Sequence, residues 1–470
     1  MTGKKLLVLM ISIILILSTL TGVFAAPDGI YLEDSKISNP EIKSEAAILA
    51  DLKTGRIIYS KNADKALYPA STTKIMTGIL ALEYGNLSDT VTASVSALAP
   101  ITNEDSHMGI LIGEQFTLEQ LIYAMMVYSA NDAANVIATH IAGTPENFVE
   151  IMNEKAQELG AENTHFVNTY GIHNEDHYTT AEDLALITRY AMQNEKFREI
   201  VKTPIYKIAP TEKYTTERNL PNTNLFLSSF RSAEFYNKNV TGVKTGSTDA
   251  AGYCLVTTAQ KDTTELLVIT LKAPNKTECY NDSKKLLDLG FNNYSYTTIA
   301  ASGNVIRDSK VYEAKKDTRV ALTVKEDISS LLPKDIDINE SVIAEETLPD
   351  VIKAPIKKGE IIGEITYYYN DNEIGRTELI AANDVKRNNL LFLYHLIVGI
   401  LTHPLFLIPA ILIIILIMIR RANIKKQEQL KRKRRLQNMQ RNSRPSSVHS
   451  RPERSKISDT RKSPNSRYKK

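Results

Sequence analysis

The feature that most constrains this chain is a run of 30 residues, 390–419, that contains no Asp, Glu, Lys or Arg. A helix over 405–419 rises only about 22 Å, so a segment that crosses a hydrocarbon core of about 30 Å must begin near Leu396. Thr402, His403 and Pro404, which are uncharged, then lie inside that segment. The pattern therefore predicts a transmembrane segment at 390–419, and a kinked or re-entrant segment is the alternative.

The charge of the chain changes sign at the end of this apolar run. Residues 420–470 contain 19 Lys or Arg and 3 Asp or Glu, a net charge of +16, whereas the whole chain carries only +3. The first 419 residues are therefore acidic, with a net charge of −13. Because Lys and Arg beside a spanning segment stay in the cytoplasm, we expect a disordered cytoplasmic tail and an extracellular body. Contact of the tail with anionic lipid or nucleic acid is the alternative, although no nucleic-acid partner is expected.

The first 25 residues have the parts of a secretory signal peptide. Lys4 and Lys5 precede an apolar run at 6–20, and the sequence Val-Phe-Ala that ends at Ala25 fits a cleavage site. The pattern predicts cleavage after Ala25. An uncleaved anchor helix is the alternative, but the run is shorter than the ~20 residues that a span needs.

Between these ends, the patterns indicate two domains. Residues 40–295 combine helical periodicity with β-branched runs, whereas residues 296–385 alternate Val, Ile, Tyr and Thr with turn residues. We therefore expect a first domain with helices and strands and a separate, smaller all-β domain after it.

Three helices of the first domain have recognisable ends. Apolar residues at helical spacing follow Ser71 and stop at Gly85. A capping box formed by Thr117 and Gln120 opens a second helix, and Thr180 is the predicted cap of a third.

The tripeptide Lys-Thr-Gly occurs twice, at 53–55 and at 244–246. The first copy lies between two apolar, β-branched runs, which predicts a hairpin turn in which Gly55 supplies backbone freedom. The second copy lies within a segment of strand composition, 240–259. Only the second copy is therefore a candidate for a functional site.

Ser71 and Lys74 form the first part of that candidate site. Near a helix start, residues three apart share one face, so the two side chains can form a hydrogen bond. Burial beside Ile75 and Met76 would lower the pKa of Lys74, which could then accept the proton of the serine hydroxyl. We expect Ser71 to be a nucleophile and Lys74 its base.

The second part is the sequence Ser129-Ala130-Asn131, which interrupts two apolar helices. Polar side chains at such a break can point into a cleft. Ser129 is predicted to relay a proton to the leaving group, and Asn131 to bind an amide of the substrate. An ordinary interhelical turn is the alternative.

The second Lys-Thr-Gly copy supplies the third part. Lys244 offers a positive charge, Thr245 a hydroxyl group, and Gly246 room for a peptide backbone at the strand edge. The backbone N–H groups of Ser247 and Ser71 are predicted to form an oxyanion hole. A substrate that ends in a free carboxylate fits this set.

These three motifs stand in order, and they occur within the sequences PASTTKIMT, YSANDAAN and TGVKTGSTDAAGYCLV. Together with HYTTAEDLA, they resemble the low-molecular-mass penicillin-binding proteins, the serine D-alanyl-D-alanine carboxypeptidases of peptidase family S11. The resemblance covers 40–295 with specific motifs and the following domain more loosely. It implies an α+β fold, with a penicillin-binding-protein/β-lactamase-like domain in which a helical subdomain lies beside an antiparallel sheet.

The resemblance also implies an activity and a location. It implies an acyl-enzyme on Ser71, carboxylate binding by Lys244 and Thr245, and removal of the terminal D-alanine from peptidoglycan stem peptides that end in D-Ala-D-Ala. It further implies inhibition by β-lactams, with no metal and no cofactor, at the cell membrane of a bacterium. Such carboxypeptidases often end in an amphipathic helix on the membrane, whereas this chain has a longer apolar segment and a basic tail.

Single features of the sequence argue against four other interpretations. A non-catalytic penicillin sensor or envelope scaffold fits the membrane segment and tail, but a pure binder needs no desolvated base. A class A β-lactamase uses an additional glutamate, and no Glu-x-x-Leu-Asn sequence follows the second motif. A Ser-His-Asp hydrolase would carry Gly-x-Ser-x-Gly, which is missing. His173 and His177 lack the His-Glu-x-x-His order of a metal site, so His177 is expected to be structural.

The two cysteines, Cys254 and Cys279, leave two interpretations open. An extracellular location permits a disulfide between them. Cys254 lies in an apolar run, however, and fits a small buried hydrophobic residue equally well.

Overall fold

The computed structural model describes residues 37–102 and 104–441. These residues form two compact units. The smaller unit consists of 312–318, 353–355 and the described residues from 386 onwards, and the larger unit contains the rest. The predicted signal peptide, 1–25, lies outside the described residues.

Strands dominate the middle and the later part of the larger unit. In chain order the strands are β1 (Ala46–Asp51), β2 (Ile57–Lys61), β3 (Thr90–Thr92), β4 (Gln115–Thr117), β5 (Ile205–Ile208), β6 (Arg218–Pro221), β7 (Val240–Thr248), β8 (Gly252–Lys261), β9 (Thr264–Ala273), β10 (Tyr294–Ala300), β11 (Val305–Lys310), β12 (Arg319–Val324), β13 (Ile328–Pro333), β14 (Val342–Thr347), β15 (Ile361–Tyr369) and β16 (Asn372–Ala381).

Most helices lie between β2 and β7. In chain order the helices are α1 (Lys74–Tyr84), α2 (Val95–Leu98), α3 (Leu118–Tyr123), α4 (Asn131–Ala142), α5 (Pro145–Glu158), α6 (Ala181–Ala191), α7 (Glu195–Lys202), α8 (Lys276–Asn293), α9 (Ile338–Ser341), α10 (Asn389–Thr402) and α11 (Pro404–Arg441). The 3₁₀ turns at Ala70–Thr73 and Leu225–Leu227 and the π-helical segment Ala124–Tyr128 complete the helical structure of the described residues.

The central sheet has five antiparallel strands in the order β2-β1-β9-β8-β7. The first Lys-Thr-Gly copy is the turn between β1 and β2, and Gly55 has a φ of +81°, so the predicted hairpin is confirmed. The second copy lies within β7, the edge strand, as the sequence predicts. The two copies therefore lie at different sites of the same sheet.

Helices cover both faces of this sheet, which explains why β1 is apolar at nearly every position. Neighbouring side chains of a strand point to opposite faces. Ile48 belongs to the core on the side of α1 and α4, whereas Leu49 belongs to the core that includes α8. Such a strand shows an apolar run and not an alternation, because neither face meets water.

The predicted helix ends are confirmed by their hydrogen bonds. The Thr117 hydroxyl accepts from the Gln120 N–H at 3.2 Å, and the Gln120 side chain accepts from the Thr117 N–H at 2.8 Å. The Thr180 hydroxyl accepts from the Asp183 N–H. Each such cap is worth about 1 kcal/mol to helix stability.

The all-β domain consists of a two-stranded sheet, β10-β13, and a five-stranded sheet in the order β11-β12-β16-β15-β14. It contacts the central sheet at the first Lys-Thr-Gly turn. The buried guanidinium of Arg56 donates to the Ser330 hydroxyl and to the Glu373 carbonyl, and the Tyr296 hydroxyl donates to the Asp51 carboxylate at 2.7 Å. The residues that flank the first copy of the tripeptide therefore help to join the two domains.

The apolar segment forms two helices, α10 and α11, which meet at His403. Among the described residues one helix, at Pro404–Met439, is long and apolar enough to cross a membrane. The structure continues α11 to Arg441, into the part of the chain for which the sequence predicts disorder. The segment is rich in Lys, Arg, Gln and Leu, all of which are good helix formers. The rest of the predicted tail, 442–470, lies outside the described residues.

Both cysteines are free and buried. Cys254 belongs to the core on the side of α1, and Cys279 belongs to the core on the opposite face of the sheet. This placement supports the interpretation of Cys254 as a buried hydrophobic residue.

Candidate active site

Ser71 lies in the 3₁₀ turn that leads into α1. The residue before it, Ala70, has a φ of +49°, a left-handed conformation that is uncommon for a residue with a side chain. The Thr72 hydroxyl donates to the Pro69 carbonyl at 2.7 Å, and the Thr73 hydroxyl donates to the Ala70 carbonyl at 2.9 Å. Local side-chain hydrogen bonds thus hold the turn that presents Ser71.

Two glycines allow other segments to approach this turn. A Cβ atom at Gly171, whose φ is +90°, would lie 1.8 Å from the Ala70 carbonyl oxygen. A Cβ atom at Gly246 would lie 2.9 Å from the Ser71 nitrogen. The space on that side of Gly246, where a substrate backbone is predicted, is therefore occupied by the turn Ala70–Thr73.

Lys74 is fully buried, and its amine is surrounded by three acceptors. Its Nζ lies 2.9 Å from Ser71 Oγ, 2.7 Å from Asn131 Oδ1 and 2.8 Å from the Tyr170 carbonyl oxygen. The ammonium form can donate to all three acceptors. The neutral amine has two hydrogens for Asn131 and Tyr170 and directs its lone pair at the Ser71 hydroxyl.

Burial lowers the pKa of Lys74 well below its usual value, and the nearby charge of Lys244 lowers it further. The carboxylates of Asp105 and Asp132 oppose this shift. The neutral form of the Lys74 amine is therefore populated at a lower pH than in a solvent-exposed lysine. Such an amine, hydrogen-bonded to a serine hydroxyl, is suited to act as a general base.

Ser129 and Asn131 lie at the break that the sequence predicts. The π-helical segment before Ser129 ends at a left-handed residue, Ser129 itself, with a φ of +68°, and α4 begins at Asn131. Ser129 lines the same cavity as Ser71. The Asn131 amide is engaged inside the protein, because its oxygen accepts from Lys74 and its nitrogen donates to Asp105.

Lys244 is also buried, and its Nζ donates to the Thr245 carbonyl at 2.9 Å. Burial lowers its pKa to about 7. The Thr245 hydroxyl lies at the cavity and donates to the Thr223 hydroxyl at 2.7 Å. Of the Lys-Thr-Gly residues, therefore, Thr245 and Gly246 line the cavity, whereas Lys244 is buried and is not part of the lining.

The cavity beside Ser71 has a volume of about 270 Å³. Ser129 and Ser247 line it, together with two cationic side chains outside the predicted site, Arg231 and Lys276. No Asp or Glu lies among the described residues that line it. A cavity with this lining favours an anionic ligand. Arg231 and Lys276 lie in no recognisable motif, so only the folded arrangement reveals them.

His177 supports the turn Ala70–Thr73 from outside the cavity. Its Nδ1 accepts from the Val167 N–H at 3.1 Å, so Nε2 carries the proton and donates to the Thr73 hydroxyl at 2.8 Å. This buried, fully hydrogen-bonded histidine has the structural role that the sequence predicts.

The pKa of His177 predicts a pH dependence of stability. Burial lowers this pKa from 6.5 to about 4, so the unfolded chain binds a proton in a range where the folded chain does not. We expect the free energy of unfolding to fall by roughly 3 kcal/mol as the pH decreases through this range. Chemical denaturation at a series of pH values measures it, and His177→Gln, which retains a donor for Thr73, should flatten the slope. An unchanged slope in that variant would contradict the assignment.

Comparison with known proteins gives two family matches. Residues 33–275 match the family Peptidase S11, D-alanyl-D-alanine carboxypeptidase. Residues 294–387 match the penicillin-binding protein 5 C-terminal domain. One match falls on each of the two domains, and residues 276–293 lie between the two matches.

Individual relatives agree with these matches. D-alanyl-D-alanine carboxypeptidase DacF of Bacillus subtilis is 32% identical over 82% of this chain and 95% of its own length. DacA of Haemophilus influenzae is 32% identical over 74% of this chain and 87% of its own length. Among solved structures, penicillin binding protein 5 from Haemophilus influenzae superposes with a TM-score of 0.60 and 30% identity, over 75% of this chain and 100% of that one.

Proposed function

Because the chain belongs to the D-alanyl-D-alanine carboxypeptidases of peptidase family S11, we propose that it removes the terminal D-alanine from peptidoglycan stem peptides through an acyl-enzyme on Ser71. The observation that carries the assignment of Ser71 is the buried amine of Lys74, 2.9 Å from its hydroxyl oxygen. The proposed catalytic domain is 40–295, and 296–385 is the proposed all-β domain.

The proposed reaction has two steps. Ser71 Oγ attacks the carbonyl carbon of the penultimate D-alanine while its proton passes to Lys74 Nζ. The C–N bond then breaks as the proton held by Lys74 passes through Ser129 to the nitrogen of the terminal D-alanine, so that D-alanine leaves and Lys74 is neutral again. Water hydrolyses the resulting ester, again with Lys74 as base. The backbone N–H groups of Ser71 and Ser247 are the proposed donors to the negatively charged oxygen in both steps.

The terminal carboxylate of the substrate requires a cationic partner. Because Lys244 is buried and is not among the residues that line the cavity, its charge acts on the carboxylate at a distance, and the direct contacts fall to the Thr245 hydroxyl and the Arg231 guanidinium. Lys276 adds positive charge to the same cavity. In this proposal Lys244 contributes its charge to carboxylate binding although its side chain is buried.

Replacing Arg231 with glutamine is expected to raise KM about tenfold for peptides with a free terminal carboxylate, since a hydrogen bond to a charged group is lost. Peptides with an amidated terminus should show no such loss. The matched control is Lys238→Gln, which removes a cation from the same loop at an exposed position outside the cavity lining. An equal loss on both kinds of peptide would show that Arg231 does not bind the carboxylate.

The apolar helix at the C-terminal end of the described residues supports a topology for the enzyme in the membrane. The basic residues that follow Ile419 support a cytoplasmic C-terminus, and the catalytic domain is then extracellular. Cleavage of residues 1–25 as a signal peptide completes the proposed topology. Protease treatment of intact cells tests it: an epitope on the tail should survive, and an epitope on the catalytic domain should be removed.

The alternative of a penicillin sensor is tested with the solubilised full-length protein. We expect release of free D-alanine from a muramyl pentapeptide, and a covalent β-lactam adduct on the tryptic peptide that contains Ser71. A protein that forms the adduct but releases no D-alanine from any stem peptide would be a sensor.

A further inference from the structure

A chain of hydrogen bonds extends the catalytic site beyond its motifs, into the loop before β4. Asp105 Oδ1 accepts from Asn131 Nδ2 at 3.3 Å, and Asn131 Oδ1 accepts from Lys74 Nζ at 2.7 Å. The oxygen of the Asn131 amide thus faces a hydrogen-bond donor, and its nitrogen faces a carboxylate acceptor. Rotation of the amide by 180° would set its N–H₂ group against the Lys74 amine and its oxygen against the carboxylate, so the carboxylate selects one orientation.

The Asp105 carboxylate is itself held in place. Its Oδ2 accepts from the Thr102 N–H at 2.8 Å and from the Thr102 hydroxyl at 2.9 Å. The next residue fixes the loop to the site, because the Ser106 carbonyl accepts from the Asn131 N–H at 2.7 Å. The acceptor for the Asn131 amide is therefore in position before any substrate binds.

We propose that Asp105 is a positioning residue of this enzyme: it holds the Asn131 amide with its oxygen towards the Lys74 amine and places a negative charge beside that base. The proposal rests on the proposed function of Ser71 and Lys74. No sequence motif marks this position.

The charge of Asp105 acts within a small set of groups that face Lys74. Lys244 on β7 lowers the pKa of Lys74, whereas Asp105 and, to a smaller extent, Asp132 at the start of α4 raise it. His177 is neutral above about pH 4, and the ring of Tyr170 lies 5.8 Å from the amine. Asp132 is committed to the backbone N–H groups of Met108 and Ile110. Asp105 is therefore the acidic group whose removal changes the base most directly.

The test is the pH profile of Ser71 acylation by a fluorescent penicillin, measured with the solubilised full-length protein. Acylation requires the neutral amine, so its rate rises with pH through the pKa of Lys74. Asp105→Asn removes the charge, and we expect the midpoint of this rise to move to lower pH by about half a unit or more. Added salt should reduce the difference in midpoint between Asp105→Asn and the parent, because the loop is partly exposed and its charges are screened.

Two variants make the test specific. Glu104→Gln removes the same charge from the neighbouring, exposed residue and should leave the midpoint where it is in the parent. Asp105→Glu retains the charge and should keep a midpoint close to that of the parent. A role of Asp105 in loop stability alone would lower the melting temperature or the plateau rate without moving the midpoint.

The outcomes separate this proposal from the proposed function. Ser71 acylation with a shifted midpoint in Asp105→Asn alone supports the positioning role. Coincident midpoints for the parent, Asp105→Asn and Glu104→Gln would overturn that role while the acyl-enzyme mechanism stands. A parent protein that is not acylated on Ser71 at any pH would overturn both.

Discussion

Replacing Ser71 with alanine is expected to reduce the release of D-alanine by at least about 10⁴-fold and to remove all covalent labelling by penicillin. The side chain supplies the only atom that bonds to the substrate in the proposed mechanism. The surrounding turn should persist, because the bonds that hold it come from Thr72 and Thr73 and not from Ser71. Both losses are measured on the same sample, by D-alanine assay and by gel fluorescence.

The control for this variant is Ser88→Ala, which removes an exposed hydroxyl that bonds only to Asn86. It should retain the activity of the parent. If Ser71→Ala still released D-alanine at more than about one hundredth of the parental rate, another group would be the nucleophile.

Replacing Lys74 with alanine is expected to slow acylation of Ser71 by about 10² to 10⁴-fold, the contribution of a general base. The more informative variant is Lys74→Arg. A guanidinium retains the positive charge but stays protonated at any accessible pH, so it cannot accept the serine proton. We expect Lys74→Arg to be as inactive as Lys74→Ala. Substantial activity in the arginine variant would show that Lys74 acts through its charge and not as a base.

The matched control is a second buried lysine. Lys155 on α5 is 8% exposed and pairs with Glu83 and Glu158, away from the cavity. Lys155→Ala should lower the melting temperature and leave the acylation rate intact. The stability and the rate are measured in parallel for both lysine variants, so that loss of fold is not taken for loss of a base.

The features that could be predicted from the sequence are those that depend on neighbouring residues. The turn at Gly55, the capping box of Thr117 and the cap at Thr180 each need only a few consecutive side chains, and all are confirmed. Ser71 and Lys74 form their hydrogen bond because three residues span about one helical turn. Local geometry is the same wherever such a sequence occurs.

The features that could not be predicted depend on contacts between distant segments. The alternation of side chains along a strand places Lys244 and Gly246 on one side of β7. It does not show that the turn Ala70–Thr73 packs against that side. Asp105 and Arg231 reach the site from loops without a motif. The continuation of α11 to Arg441 was missed for a different reason: high charge suggested disorder, while the same residues favour a helix.

The packing of Gly171 bears on when Ser71 acquires its surroundings during synthesis of the chain. It lies against the Ala70 carbonyl, and β7 flanks the same turn through Gly246. Both contacts come from segments far downstream of the serine, so a partly synthesised chain carries an ordinary alcohol at position 71. The serine can therefore acquire its complete surroundings only after β7 has been synthesised and has packed against the turn.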